Sequence, residues 1–192
     1  MGDADVIESS GLRLRPLRAR DARAWMDLRE DNRDWLRPWE ASAPPEAGHE
    51  PMSFRAFVRL ERAQRRRLEA IPLAIEVDGA LVGRVAIAGI QWGAQRAGSL
   101  GYWIAQDHAG RGIVTRAAAL LADHGFRAGL HRIEIAIRPE NAASRRVAEK
   151  LGFTEEGIRR SHLYIDGAWR DHVVFARTQD EPRTGRYWES GA

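Results

Sequence analysis

The feature that most constrains the fold is a strand that leads through a two-glycine turn directly into a helix. Gly101 to Ala105 predicts the strand, Gly110-Arg111-Gly112 forms the turn, and apolar residues at helical spacing predict a helix from about Ile113 to Phe126. Glycine lets the backbone approach a ligand closely, and the first helical turn carries unpaired N–H groups at the positive end of its dipole. The unit therefore predicts a site for a pyrophosphate group, although a plain tight turn has the same pattern.

Two familiar nucleotide motifs do not fit this turn. A dinucleotide fingerprint requires a third glycine where this chain has Thr115, and a P-loop requires Gly-Lys-Ser/Thr, which is missing from the sequence. The turn is therefore not explained by either of these nucleotide-binding patterns.

The rest of the chain alternates between strand and helix patterns. Asp78-Gly79 and Asp166-Gly167 each predict a hairpin turn, the second between strands at Leu163 to Ile165 and Trp169 to Ala176. Pro38 to Pro51 predicts a long loop. The predicted order is β-α-α-α-β-β-β-α-β-α-β-β, which indicates an α/β (α+β) fold with helices on both faces of a mixed sheet. We expect one domain over residues 1–180 and a loose polar tail over residues 181–192.

Composition excludes several classes of function. The chain has no cysteine, so it has no disulfide, thiolate metal site or cysteine-acyl intermediate. Its histidines lack a metal-ligand spacing such as His-Glu-x-x-His, and we expect no metal. No apolar run is long enough for a membrane span, and the start of the chain, Met1 to Asp5, lacks the features of a secretion signal. We expect a cytoplasmic protein without a membrane partner.

The positive charge of the chain is almost entirely arginine. The isoelectric point is about 9.9 but the formal net charge is only +3. The run Arg62 to Arg67 is the local basic patch, and the solvated face of a helix explains it better than an RNA contact. We expect no direct nucleic-acid specificity, because basic and aromatic residues do not interleave as in known RNA-binding types.

Combined motifs give a family resemblance over nearly the whole chain. Gln106 and Gly110-Arg111-Gly112 precede the helix, and after the alternating strand Ile133 to Ile137 come Asn141-Ala142-Ala143-Ser144 and Leu151-Gly152-Phe153. This spacing resembles the GNAT acetyltransferase superfamily, with the glycine turn entered from Gln106 or, less naturally, from His108. Within the superfamily it looks most like the RimJ/RimL type, which acetylates N-terminal amines of ribosomal proteins. The matching stretches are Leu12 to Leu17, Asn32 to Glu40, His131 to Glu134 and Tyr164 to His172.

The resemblance implies a GNAT fold and acetyl-CoA, or coenzyme A, as the cofactor. In this fold two central strands splay apart and the pantetheine arm of the coenzyme lies between them. The residues that the resemblance assigns to the cofactor are Tyr102, Trp103, Ile104, Gln106, Gly110, Arg111, Gly112, Ile113, Thr115, Asn141 and Ser144. For Asn141 a helix N-cap is an alternative role that requires no ligand.

The catalytic groups are less clearly marked. Many GNAT enzymes place a tyrosine acid where this chain has Ala148, which leaves Ser144 as a hydrogen-bond donor to the departing thiolate. Glu40 and Glu134 are the candidate proton acceptors. A surface carboxylate is the alternative for both, and an ion pair with Arg132 or Arg138 is a further alternative for Glu134. An α-amine has a pKa of about 7.7–8.0, against about 10.4 for a lysine side chain, so a site without a strong base suits an α-amine. We expect direct transfer in a ternary complex, with water or Glu40 taking the proton.

The acceptor is predicted to be a protein or peptide N-terminus, belonging to a ribosomal protein. Its predicted binding residues are Trp39, Glu40, Tyr164, Trp169, Arg170 and Asp171. A salt-bridged hairpin with Trp169 in the core is the structural alternative for the last four. Two other functions stay open, namely acetylation of small amines or antibiotics on the same fold, and ribosome binding with secondary catalysis. The sequence is compatible with a monomer or a homodimer.

Overall fold

The structure is a computed structural model that describes residues 6–9, 11–48, 52–182 and 187–188. Within these residues the chain forms eight strands and five α-helices. In chain order they are β1 Ile7–Ser9, β2 Leu12–Arg15, α1 Ala22–Asp31, α2 Arg33–Leu36, α3 Phe54–Arg66, β3 Ile71–Val77, β4 Ala80–Gln91, β5 Ala97–Ile104, α4 Ile113–Arg127, β6 Arg132–Ile137, α5 Ala142–Lys150, β7 Thr154–Ile165 and β8 Ala168–Thr178.

All eight strands belong to one sheet in the order β1-β2-β3-β4-β5-β6-β8-β7. Neighbouring strands are antiparallel except for β5 and β6, which are parallel. The β5–β6 pairing covers only Ala97 to Ser99 against Arg132 to Glu134, whereas β5 stays paired with β4 as far as Ile104. The two central strands therefore separate after Ser99 and leave a fork in the middle of the sheet.

The helices cover opposite faces of this sheet. A side chain at Gly125 of α4 would contact Ile87 and Ile133, and the guanidinium of Arg145 on α5 lies over the ring of Phe175. On the other face Trp103 of β5 packs against Trp25 of α1. We refer to these as the α4–α5 face and the α1–α3 face. The fold class and the mixed sheet with helices on both faces are confirmed.

Several local predictions are confirmed. Asp78 and Gly79 have φ angles of 50° and 80°, and Asp166 and Gly167 have φ angles of 47° and 76°, so both dipeptides make tight hairpin turns with left-handed backbone. Gly152 follows α5 with a φ angle of 69°, the left-handed backbone that favours glycine at the end of a helix. The basic run Arg62 to Arg67 lies at the end of α3 and just beyond it.

Other predictions need correction. Strand β1 was missed, and β7 begins at Thr154 rather than near Leu163, because most of this edge strand is exposed and polar. Trp169 does not fill the core, since 54% of its surface is exposed. The sequence alternates too weakly in both strands to mark their length.

The two ends of the chain and the long loop lie partly outside the described residues. The residues outside are 1–5, to which the expectation about a secretion signal refers, 49–51 of the predicted loop, and 183–186 and 189–192 of the predicted tail. Trp188, in contrast, is buried among core residues and lies under the guanidinium of Arg177. The description of residues 181–192 as a loose polar tail therefore does not fit Trp188. Among the described residues, none of the helices combines the length and apolarity that a membrane span needs.

Candidate active site

The two-glycine turn opens α4 as the sequence predicts. Gly110 and Gly112 have φ angles of 75° and 76°, and Gly112 occupies the N-cap of α4. Both positions favour glycine, because side chains are strained at such angles. The 15-residue helix that follows directs its first N–H groups toward this turn, which gives it the chemistry of an anion site.

The side chains around the turn differ in exposure. Arg111 is exposed, whereas Ile113 and Thr115 are 5% and 3% exposed in the first turn of α4. Thr115 is therefore buried, and a phosphate group at this turn would meet backbone N–H groups and Arg111. The assignment of Thr115 to the cofactor stays a prediction, and the burial of its side chain argues against direct contact with a ligand.

The end of β5 is held from the α1–α3 face. The indole N–H of Trp35 donates to the carbonyl of Ile104 at 3.0 Å, and the side-chain oxygen of Asn32 accepts from the N–H of Gln106 at 2.7 Å. Trp103 packs edge-on against Trp25, with ring centroids 5.4 Å apart. The separated part of β5 thus keeps a fixed position although β6 no longer pairs with it.

Across the fork, Tyr102 reaches from β5 to α5. Its hydroxyl donates to the carbonyl oxygen of Ser144 at 3.4 Å, and burial raises the pKa of the phenol above its usual 10.0. The side-chain oxygen of Asn141 accepts from the N–H of Ser144 at 3.0 Å, so the N-cap role predicted for this asparagine is confirmed. Ala148 of α5 is fully buried and has no group that could act as an acid.

Both candidate carboxylates are engaged in ion pairs. Glu40 is paired with Arg29, whose guanidinium also lies 5.2 Å from the ring centroid of Trp103. Glu134 accepts hydrogen bonds from Arg132 at 3.0 Å and Arg159 at 2.6 Å.

The environment of Glu134 makes it a poor proton acceptor. Burial raises the pKa of this carboxyl, but the hydrogen bonds from Arg159 and Arg132 outweigh burial and hold the pKa below 4.5. Glu134 also lies opposite Ser99, where β5 and β6 are still paired, and not in the open part of the fork. Its role as base stays a prediction that these contacts do not favour.

An open cleft of about 880 Å³ lies on the α1–α3 face beside α1 and α2. Each acidic side chain in its lining is paired with an arginine of the same lining. The pairs are Glu30 with Arg33, Glu40 with Arg29, and Asp166 with Arg37. The remaining lining residues are Trp25, Met26 and Ala41 to Ala43.

The β7–β8 hairpin forms a wall of this region. The N–H of Ser42 donates to the carbonyl of Tyr164 at 3.0 Å, and Ala41 bridges to Ile165, which joins the cleft loop to the hairpin. The rings of Tyr164 and Trp169 are 5.8 Å apart.

Two of the predicted substrate residues have contacts within the hairpin itself. Arg170 donates to the carbonyl of Ile165 at 3.3 Å, and a carboxylate oxygen of Asp171 accepts from the N–H of Ser161 at 2.8 Å. These contacts shape the hairpin. Their roles in substrate binding stay predictions, as do those of Tyr164 and Trp169.

Trp39 lies under the guanidinium of Arg138, 5.5 Å from its ring centroid, and Arg138 donates to the carbonyl of Pro38 at 2.7 Å. Arg138 thus connects the end of β6 to the loop that carries Trp39 and Glu40. For Arg138 the sequence suggests only an ion pair with Glu134, whose partners are instead Arg132 and Arg159, and it gives no role to Asn32 or Trp35. For the last two a signal was available in the polar-aromatic stretch Asn32 to Glu40, which was recognised only as a resemblance.

Comparisons with known proteins agree with this geometry. A family model described as an acetyltransferase (GNAT) domain matches residues 11–154. The solved structure of Mycobacterium smegmatis RimJ in complex with CoA-disulfide has a TM-score of 0.80 and 41% identity, and the match covers 87% of this chain and 81% of that one. Among curated relatives, the probable N-acetyltransferase YjcK of Bacillus subtilis (strain 168) is 33% identical over 173 residues, which are 89% of this chain and 96% of the relative. The ribosomal protein uS5-alanine N-acetyltransferase of Escherichia coli (strain K12) is 29% identical over 183 residues, 94% of each chain.

Proposed function

The chain belongs to the GNAT acetyltransferase family, and we propose that it acetylates the N-terminal α-amine of a protein, specifically a ribosomal protein, in the cytoplasm. It is an N-acetyltransferase that uses acetyl-CoA. The family relationship includes relatives whose names specify ribosomal-protein alanine as the substrate. The choice of an α-amine rests on one observation, which is that every acidic side chain lining the cleft is paired with an arginine.

The residues around the fork fit acetyl-CoA. Left-handed glycines at positions 110 and 112 open the N-terminus of α4 to a pyrophosphate, and the fork leaves a passage between β5 and β6 for a narrow chain. Acetyl-CoA supplies an activated thioester carbonyl. Backbone groups of Tyr102 to Ile104 would hold the acetyl end, and Asn141 and Ser144 would contact the pantetheine arm.

Ser144 is proposed to donate a hydrogen bond to the departing sulfur. It lies in the first turn of α5, where its backbone carbonyl accepts from the hydroxyl of Tyr102. A serine hydroxyl is a much weaker acid than a thiol, whose pKa is about 8.5, so its contribution is a hydrogen bond and not a complete proton transfer. Tyr102 stays protonated, because burial raises its pKa, and its hydroxyl is available as a hydrogen-bond donor.

The charge balance of the cleft favours an acceptor with one positive charge. Polyamines and aminoglycosides carry several ammonium groups and would need unpaired carboxylates, whereas the acidic groups of this lining are neutralised by Arg29, Arg33 and Arg37. A peptide N-terminus has one amine with a pKa of about 7.7–8.0, so an appreciable fraction is already neutral near physiological pH. The apolar surfaces of Trp25 and Met26 suit the first side chains of a peptide. We propose direct transfer in a ternary complex.

The proposal is tested by measuring coenzyme A release with a panel of acceptors. Peptides that begin with Ala or Ser should be acetylated with higher kcat/KM than spermidine or aminoglycosides, and blocking their α-amine should remove the activity. A preference for polycations would contradict the proposal. Arg29→Gln, which frees Glu40 from its ion pair, should shift the preference toward polycations, while Arg23→Gln, at an exposed position of α1, should not.

A further inference from the structure

Two histidines meet on the α1–α3 face at the open end of the fork. The rings of His162 on β7 and His172 on β8 are 5.5 Å apart and nearly perpendicular, at 76°. Ile137 of β6 pairs with Val173, so the next positions along the two strands bring Arg138 and His172 to the same face. Arg138 is the residue that contacts Trp39 and Pro38. The imidazole pair therefore lies beside the loop that borders the cleft.

A bulge in β7 brings His162 to this position. The pairing of β7 with β8 shifts between Arg159 and Leu163, and Ser161 has a left-handed φ angle of 45°. The bond from the N–H of Ser161 to Asp171 stabilises this strained backbone. Bulges redirect side chains and are frequent next to active sites. Here the bulge places the His162 ring against the His172 ring.

The two rings differ in exposure. His172 is only 2% exposed, and its Nδ1 is 3.0 Å from the carbonyl oxygen of Arg170, which fixes Nδ1 as the donor. His162 is half-buried and keeps contact with solvent. The buried and oriented ring of His172 thus fixes the direction of the His162 ring that packs against it. The His162 ring stays accessible to a second molecule.

The carboxylates near the cleft and the fork are poor proton acceptors by comparison. Glu40 is paired with Arg29, Glu134 with Arg132 and Arg159, and Glu140 with Arg138 at 3.3 Å. A carboxylate that is held by a guanidinium has to break that ion pair in order to take a proton.

We propose that His162 is the proton acceptor of the reaction and that His172 is its positioning residue. This inference rests on one part of the proposed function, namely that the acceptor is an amine. As the amine nitrogen forms the new C–N bond, the C–S bond breaks and its electron pair stays on sulfur. One proton of the amine passes to the free ring nitrogen of His162, and the sulfur takes a proton from solvent. Ser144 and His162 then act from opposite faces of the fork.

The surroundings of both rings favour the neutral imidazole, which is the form that accepts a proton. Burial, followed by the nearby charges of Arg159 and His172, lowers the pKa of His162 below 6.5, and Glu134 opposes this only weakly. His162 is therefore a competent base at neutral pH and loses this ability in acid.

The pKa of His172 is lowered in the same direction. Burial is the main cause, the carbonyl of Arg170 opposes it, and the charge of Arg138 adds to the lowering. Asp171 and Glu140 raise the pKa by smaller amounts. The lowered pKa favours the neutral form of His172 at neutral pH, and in acid a charge on His172 lowers the pKa of His162 further.

The test compares His162→Ala with His131→Ala, a matched removal of a histidine at the opposite end of β6. His162→Ala should lower kcat near neutral pH by about 100-fold. Its calorimetric affinity for acetyl-CoA should equal that of the wild type, and added imidazole should restore part of kcat. The wild-type pH profile of kcat/KM should show a limb with a pKa below 6.5 that the variant lacks. His131→Ala should match the wild type in each measurement.

Unchanged kcat in His162→Ala, or a parallel loss of kcat and acetyl-CoA affinity without imidazole rescue, would overturn the inference. The kinetics are measured with whichever amine the wild type acetylates best. A preference for polyamines would contradict the proposed acceptor, but the role of His162 would still be tested. An NMR titration of the histidines gives a result without turnover. A pKa of His162 at or above 6.5 that is unaffected by His172→Asn would contradict the proposed pair.

Discussion

The indole N–H of Trp35 donates a hydrogen bond to the carbonyl oxygen of Ile104 at 3.0 Å, which joins α2 to the last residue of β5. This bond lies beyond the point at which β6 stops pairing with β5. Asn32 adds the bond to the N–H of Gln106. The junction of α1 and α2 thus provides hydrogen-bond partners for the end of β5. In a regular sheet these backbone groups would pair with the neighbouring strand. The fork stays open without leaving these backbone groups unpaired.

Replacing Trp35 by Phe should weaken acetyl-CoA binding, because the carbonyl of Ile104 loses its donor and the strand end loses its position. A lost hydrogen bond of this kind costs about 1 kcal/mol, which corresponds to roughly a fivefold rise in Kd. Isothermal titration calorimetry measures the change. Trp92→Phe is the control, since the indole of Trp92 donates to the carbonyl of Leu68 at 2.9 Å away from the fork. If the two variants bind acetyl-CoA with equal affinity, Trp35 has no role in the site.

Gly110→Asp should abolish acetyl-CoA binding by placing a carboxylate against the pyrophosphate. The control is Gly79→Asp, because Gly79 has a similar φ angle of 80° in an exposed hairpin turn and imposes a comparable backbone strain. Both variants should lose some stability, but only the first should lose the calorimetric signal of binding. Wild-type affinity in Gly110→Asp would contradict the assignment of the turn.

Ser144→Ala should slow turnover more than it weakens acetyl-CoA binding, if its hydroxyl acts on the departing sulfur. A tenfold fall in kcat corresponds to about 1.4 kcal/mol, within the range of one hydrogen bond to a charged group. Steady-state kinetics and calorimetry on the same preparation separate the two effects. Ser99→Ala, in the paired part of β5, is the control. Equal losses of kcat and affinity would make Ser144 a binding residue.

Asp21 should contribute to acid sensitivity. Asp21 is the N-cap residue of α1, but its carboxylate makes no capping bond to that helix. It accepts hydrogen bonds from buried Arg15 at 2.7 Å and from the N–H of Arg18. Burial raises the pKa of Asp21, but these bonds outweigh it and lower the pKa below 3.8. The stabilisation is therefore complete above the unfolded-state pKa of about 3.9 and is lost as the pH falls through the lower folded-state pKa.

Asp21→Asn should lower the free energy of unfolding at neutral pH by about 1.5–3 kcal/mol and flatten its decline in acid. Urea denaturation at several pH values measures both effects. Asp27→Asn serves as the control, because Asp27 is exposed and only 3.7 Å from an equally exposed Arg23. If the two variants lose stability to the same extent, the buried pair has no special role.

The sequence predicts the parts of this fold that local chemistry determines. The turn at Gly110 and Gly112, both Asp-Gly hairpins and the cap at Asn141 follow from backbone preferences of single residues. Strand β7 was shortened, because an exposed edge strand has no apolar alternation to reveal it. The core position suggested for Trp169 was wrong, since an aromatic residue in a hairpin can pack against a cross-strand neighbour, here Tyr164, and stay exposed.

The site was less predictable than the fold, because its properties depend on contacts between distant segments. Glu40 and Glu134 are conspicuous in the sequence, and Arg132 is a partner of Glu134 that the sequence suggests, but the pairing of Glu40 with Arg29 and of Glu134 with Arg159 becomes visible only once the chain is folded. The same holds for the bond from Trp35 to Ile104 and for the meeting of His162 with His172 across a bulge. A bulge shifts which side chains share a face, and strand periodicity alone does not reveal it.

The most direct test of the central claim is to locate the acetyl group on a peptide that carries both kinds of amine. A peptide that begins with Ala and contains an internal lysine is incubated with the wild-type enzyme and acetyl-CoA, and the product is sequenced by tandem mass spectrometry. The account predicts that the acetyl group is on the N-terminal nitrogen and that the lysine stays unmodified. Acetylation of the lysine, or of spermidine in preference to the peptide, would contradict it.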